Sequence, residues 1–183
     1  MDAVFVRHAS RANPLSGPIA GPSMGLASGQ TGVPESGLSL RGREEARSLA
    51  RLLSTAGCPL PVPTQLLASP KQRAIETLAP MSAALGLRLT VAVELDERGD
   101  GESALHFEAR VRGFVEELDS AFAERDAVWI CSHLDWLERA MCYLPSDLSE
   151  AELERPFSCA EPRLFGWRDG LWRHAPTATP GAR

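Results

Sequence analysis

Three short apolar runs, each broken off by reactive polar residues, constrain this chain more than any other feature. Ala3 to Val6 is β-branched and aromatic and stops at Arg7-His8; QLLA (65–68) stops at Ser69-Pro70; AVWIC (127–131) stops at Ser132-His133. Runs this short, without polar alternation, are expected of parallel strands buried on both faces. Helical periodicity lies between them. Ser39 can cap a helix running to about Thr55, with Ala46, Leu49, Ala50 and Leu53 on one face and Gly57 as its stop. Lys71 to about Leu85 reads as a second helix, perturbed at Pro80. The clearest helix carries Phe107, Val111, Phe114, Val115, Leu118 and Phe122 at core spacing, and another starts at about Asp135. LRLTVAV (87–93) alternates as a strand, and RLFGWRDGLWRHA reads as a hairpin turning on Asp169-Gly170.

Strands alternating with helices imply an α/β fold, here a three-layer αβα sandwich whose central sheet is mostly parallel with an antiparallel edge. We expect one domain over residues 1–183. From about Asn13 to Gly37 the chain is crowded with Gly, Ser and Pro and has no apolar period, so it reads as an irregular loop, either a lid or a disordered insertion. In such sheets ligands bind beyond the carboxyl ends of the strands, which is where Arg7-His8, Ser69-Pro70 and Ser132-His133 fall.

Composition narrows the partners. With 44% hydrophobic and 23% charged residues the chain has an ordinary globular balance. A formal charge of −5, with basic residues interleaved among acids, disfavours nucleic acid or an anionic membrane as partner. A few converging arginines can still attract a small anion into a pocket. Cys58, Cys131, Cys142 and Cys159 are widely spaced and show no zinc pattern, so free thiols in a reducing compartment are expected. With no membrane-length apolar stretch and no secretory leader pattern, the expected location is cytoplasmic. Nothing in the sequence speaks to oligomeric state.

Four segments carry chemistry: RHAS (7–10), SPKQRAIET (69–77), LDERGDGES (95–103) and CSHLDW (131–136). In order and placement they resemble the histidine phosphatase superfamily, its phosphoglycerate-mutase-like branch in particular. That family is marked by Arg-His-Gly after the first strand, a Ser-Pro-x-x-Arg segment, a Glu soon after a leucine beyond a later strand, and a second His after another strand. The resemblance implies that His8 is the nucleophile that becomes phosphorylated, that Arg7, Arg73 and His133 bind the phosphoryl group, and that Glu97 donates a proton to the leaving group. Asn13, one position early for the family's asparagine, joins the phosphate-binding set. Ala9 replaces the usual Gly, as in the small bacterial phosphohistidine phosphatases of the same superfamily, which lack the acid that Glu97 supplies here. Ser10-Arg11 replaces a common Glu-Thr, and Leu134 stands where Gly usually follows the second His.

The chemistry supports these roles independently. Phosphoryl transfer puts charge on equatorial oxygens and needs positioned cations, which planar guanidiniums supply in a bidentate fork. Neutral imidazole is a competent nucleophile at physiological pH, and nearby arginines disfavour its protonation. An ester oxygen leaves poorly unless protonated as it departs. The implied activity is metal-independent hydrolysis of a small phosphorylated substrate, with no cofactor. The alternatives are a mutase-type phosphotransferase and a non-catalytic phospho-ligand binding module. A metal site built from His8, His133, Asp135 and Glu97 is disfavoured by Arg7 beside His8. Each residue also has a structural reading: Arg73 in a surface pair with Glu76, His133 preceding a helix capped by Asp135, and Glu97 as one of an acidic crowd with Glu94, Asp96, Asp100 and Glu102.

Overall fold

The run that ends at Arg7-His8 forms β1 (Asp2–Arg7), and its alternation sorts the whole molecule into layers. Val4 and Val6 pack on one side with Leu49, Ala74, Leu78 and Met81. Ala3 and Phe5 pack on the other with Phe107, Val111, Val115 and Trp136. Both sets are buried, as a strand covered on both faces requires. Full burial of a side chain the size of Phe5 contributes roughly 2–3 kcal/mol.

The computed structural model of the chain describes residues 1–12, 36–122, 126–144, 154–169 and 171–175. After β1 come α1 (Leu40–Leu52), β2 (Gln65–Ala68), α2 (Gln72–Leu85), β3 (Leu89–Val91), a 3₁₀ turn (Val93–Leu95), α3 (Ala104–Ala121), β4 (Ala127–Ser132), α4 (Leu134–Met141), β5 (Pro162–Arg168) and β6 (Leu171–Ala175). The sheet order is β3-β2-β4-β1-β5-β6. β3, β2, β4 and β1 are mutually parallel, while β5 and β6 run antiparallel at the other edge. Helices α1 and α2 cover one face, and α3 and α4 the other. This is the expected αβα sandwich with an antiparallel edge.

Local chemistry accounts for the boundaries. Ser39 caps α1, its hydroxyl accepting from the Gly42 amide. Ser103 caps α3 in the same way, through the His106 amide. α2 runs unbroken through Pro80 and stops at Gly86, which takes φ +65°. The hairpin pairs Trp167 with Trp172 across its strands. Two expectations need correcting. The strand read over 87–93 is three residues long, because Val91 and Val93 face solvent and the chain coils at once to bury Leu95. α4 begins at Leu134, so His133 occupies its capping position, while Asp135 lies in the first turn and accepts from the Trp136 and Arg98 amides. All four cysteines are free thiols, as expected. Most of the irregular loop, Asn13 included, and the turn residue Gly170 lie outside the described residues. Among the described residues no helix is long and apolar enough to cross a membrane.

Candidate active site

Parallel pairing aligns the carboxyl ends of three strands. Arg7 pairs with Ser132 across β1 and β4, and Ala68 with Cys131 across β2 and β4. The next residues stay in register, for the His8 amide donates to the Ser132 carbonyl at 2.9 Å and the Ser69 amide to the Cys131 carbonyl at 3.0 Å. His8, Ser69 and His133 therefore emerge side by side. Around them opens a pocket of about 370 Å³ lined by Arg7, His8, Arg73, Glu97, His133 and Leu134. All five described residues expected at the site meet there.

His8 is 8% exposed, and its Nδ1 lies 2.8 Å from the Ala9 carbonyl. A carbonyl oxygen only accepts, so Nδ1 carries the proton and Nε2 keeps its lone pair. Burial, opposed by the bond to Ala9, and then the charges of Arg73 and Arg7 lower the pKa to about 4. The arginines act in the expected direction, but burial is the larger cause.

His133 is held differently. Its Nδ1 lies 3.2 Å from Arg73 Nη2, and its Nε2 lies 2.7 Å from Ser69 Oγ. Guanidinium only donates, so Nδ1 accepts and Nε2 donates to Ser69, whose hydroxyl faces Asp96 Oδ1 at 3.3 Å. Burial first, then Arg73, lowers its pKa to about 2. The two imidazole centroids are 5.2 Å apart.

Arg73 is buried on α2 and reaches Glu97 Oε2 at 2.5 Å. The surface pair with Glu76 does not form, since Glu76 instead accepts from the Leu38 amide and from Gln72. Arg7 donates through Nη1 to the Phe157 carbonyl at 2.8 Å. Among the described residues, the Nε atoms of Arg7 and Arg73 are buried and have no hydrogen-bond partner. Such donors are costly without an acceptor, and both belong to side chains lining the same pocket.

The acidic crowd separates by partner. Glu102 pairs with Arg110 at 2.8 Å, Asp96 lies 3.6 Å from Lys71, and Glu94 faces solvent. Of the crowd, Glu97 alone lines the pocket. Its loop is held by backbone carbonyls: Trp136 Nε1 and Arg110 Nη1 donate to Glu94 O, Arg110 also to Asp96 O, and Ser132 Oγ to Leu95 O.

Sequence reasoning passed over several residues that order the site. Ser69 lies inside the Ser-Pro-x-x-Arg segment, and its contact with His133 Nε2 gives it a place in the site. Thr77 on α2 accepts from the Ala9 amide at 2.9 Å and donates to Arg73 O at 2.7 Å, joining two site segments. Arg11 and Cys159 also line the pocket, without any motif to announce them. Among the described residues no group of three or more His, Cys, Asp or Glu is arranged to hold a metal ion.

Solved structures share this fold. An alpha-ribazole phosphatase from Shigella flexneri matches with a TM-score of 0.70 at 19% identity, covering 96% of this chain and 95% of its own. The protein histidine phosphatase SixA, complexed with tungstate, matches at 0.63 and 20%, covering 96% and 94%. A mycobacterial glucosyl-3-phosphoglycerate phosphatase matches at 0.66 and 18%, covering 94% and 96%. No curated protein sequence matches the chain. The family model of the histidine phosphatase superfamily, branch 1, matches residues 3–100, more than half of the chain, and the chain belongs to that superfamily.

Proposed function

We propose that the chain is a phosphomonoester hydrolase working through a covalent phosphohistidine on His8. The observation that carries this reading is the meeting of an imidazole with an open Nε2 and two arginine side chains, each with a buried Nε that lacks an acceptor, around one pocket. A phosphoryl group in that pocket would meet both guanidiniums and the open Nε2. That solved structures of the same fold are named as phosphatases supports the reaction class.

In the first half-reaction Glu97, freed from Arg73, takes the proton of the monoanionic phosphoester, His8 Nε2 attacks phosphorus, the P–O ester bond breaks, and Glu97 gives that proton to the departing oxygen. Arg7 and Arg73 hold the equatorial oxygens, and as Arg73 turns to them His133 exchanges tautomers, Ser69 donating to Nε2 and Nδ1–H donating to the phosphoryl group, so the developing charge meets donors on three sides. The phosphoryl group takes Arg73 from Glu97, and the carboxyl then faces the leaving oxygen. In the second half-reaction water attacks phosphorus, the P–N bond breaks, Glu97 recovers a proton from the water, and phosphate departs with His8 neutral. Splitting the hydrolysis this way replaces one difficult step by two easier ones.

The test is phosphate release from a panel of phosphorylated metabolites and an aryl phosphate, with and without EDTA and vanadate. Turnover that survives EDTA and is blocked by vanadate is expected. If no ester were hydrolysed while vanadate still bound, the pocket would be a phospho-ligand binding module. Turnover lost to EDTA and restored by zinc or manganese would point to a metallohydrolase.

A further inference from the structure

The acceptor that fixes His8 is one end of a peptide group whose other end meets a carboxylate. The Ala9 carbonyl takes the His8 Nδ1 proton at 2.8 Å, and the Ser10 amide, in the same planar peptide unit, donates to Glu45 Oε2 at 2.8 Å. We propose that Glu45 is a positioning residue that acts on His8 through this peptide, increasing the basicity of Nε2 from across the chain. The inference rests on His8 being the nucleophile.

The physics is that of linked hydrogen bonds. An amide N–H bonded to an anion pushes electron density toward its own carbonyl oxygen, which then accepts more strongly. A stronger acceptor at Nδ1 holds the ring in the tautomer with Nε2 free, and stabilises the positive charge that builds on the ring as Nε2 bonds to phosphorus. This is the work of the carboxylate behind the histidine in a catalytic triad, here relayed by a backbone amide.

The fold is built to hold this contact. Ser39 at the start of α1 donates to the Ser10 carbonyl through both its amide, at 2.9 Å, and its hydroxyl, at 3.0 Å. α1 lies so close there that a Cβ on Gly42 would sit 2.0 Å from the Ser10 oxygen, so only glycine fits. Glu45, one turn along, is thereby brought onto the Ser10 amide, and its Oε1 takes the Ser10 hydroxyl at 3.0 Å and Arg41 Nε at 2.8 Å. Burial works against ionisation of Glu45, but the Ser10 amide and hydroxyl and Arg41 outweigh it and hold the pKa below its ordinary value. The carboxylate is thus charged at neutral pH.

The experiment reads the His8 ring by proton and nitrogen NMR at neutral pH without substrate, in the full chain. Wild type should show the proton on Nδ1, at low field. Glu45→Gln keeps an acceptor for the Ser10 amide but removes the charge, so the Nδ1 proton should move upfield, and His8 phosphorylation by an aryl phosphate in a single turnover should slow about fivefold with substrate affinity unchanged. Arg41→Ala, an exposed change, frees the carboxylate from a competing cation and should move the same proton downfield; it gives a reading even if Glu45→Gln does not fold. Wild-type His8 protonated on Nε2, or an Nδ1 proton unmoved in the variants that fold, overturns the proposal. So does a slower Glu45→Gln with that proton unmoved, which would leave Glu45 as an anchor of the loop. The resonance needs no turnover, so a wild type that hydrolyses nothing would sink the phosphatase reading without touching the relay.

Discussion

His8 and His133 follow neighbouring parallel strands, both buried and 5.2 Å apart, yet their ring nitrogens are used in opposite ways. His8 gives one nitrogen to a backbone carbonyl and leaves the other open for the proposed chemistry. Both nitrogens of His133 are taken by side chains, Arg73 on one side and Ser69 on the other. A histidine with a free Nε2 can make a bond to phosphorus, whereas one with two side-chain partners can orient and donate. The difference lies in the partners of the ring and not in the strand ends that deliver it.

The largest expected effect tests that asymmetry. His8→Ala should reduce hydrolysis to background, while His133→Ala should slow it by roughly 100- to 1,000-fold, the scale of losing one donor to a developing oxyanion. Steady-state kinetics with an aryl phosphate compare the two, and equal residual activity in both variants would erase the distinction. Arg73→Lys comes next, at about 100-fold, because an ammonium cannot reproduce the fork that reaches both the pocket and His133. Near-normal kinetics in this variant would return Arg73 to a structural role.

Glu97→Gln should be selective. A loss of about 100-fold is expected with alkyl phosphates, whose leaving oxygen needs a proton, and little with p-nitrophenyl phosphate, whose leaving group departs without one. Because the proposed mechanism uses the same carboxyl in the second half-reaction, burst kinetics must separate the two steps. Selective loss in Asp96→Asn instead would move the acid one residue upstream. Ser69→Ala should cost about tenfold or less, since it removes one partner of His133 and leaves Arg73 in place.

The comparison also predicts acid lability. Unfolded histidine binds a proton near pH 6.5, but folded His8 resists it down to about 4 and folded His133 to about 2. Between those values the unfolded state holds more protons, so stability falls as pH drops below about 6.5, and by pH 4 each histidine opposes folding by on the order of a few kcal/mol. Denaturant midpoints should fall between pH 7 and pH 5, and His133→Gln should flatten that slope. An unchanged slope would mean that the buried rings are not the cause.

Much of this was legible in the sequence, because the layers follow from alternation and the site from three strand ends. Val4, Phe5 and Val6 face the two cores in turn, as an apolar run covered by helices must. Motif alone singles out Glu97 among five acids, and the pocket lining sets it apart in the fold. What was not legible acts across distance in the chain. Thr77 bonds Ala9 across 68 positions and Glu45 bonds Ser10 across 35, and no local period records a side chain meeting a remote backbone amide. The short β3 escaped for the opposite reason: its alternation is real, but at a sheet edge with exposed valines the pattern does not say where pairing ends.

The most direct measurement is chemical trapping of the intermediate. Wild type mixed briefly with a labelled phosphoester and quenched in denaturant should carry an acid-labile, alkali-stable label that maps to His8; His133→Ala should carry it more slowly, and His8→Ala not at all. Label persisting in His8→Ala, or mapping to His133, would contradict the account.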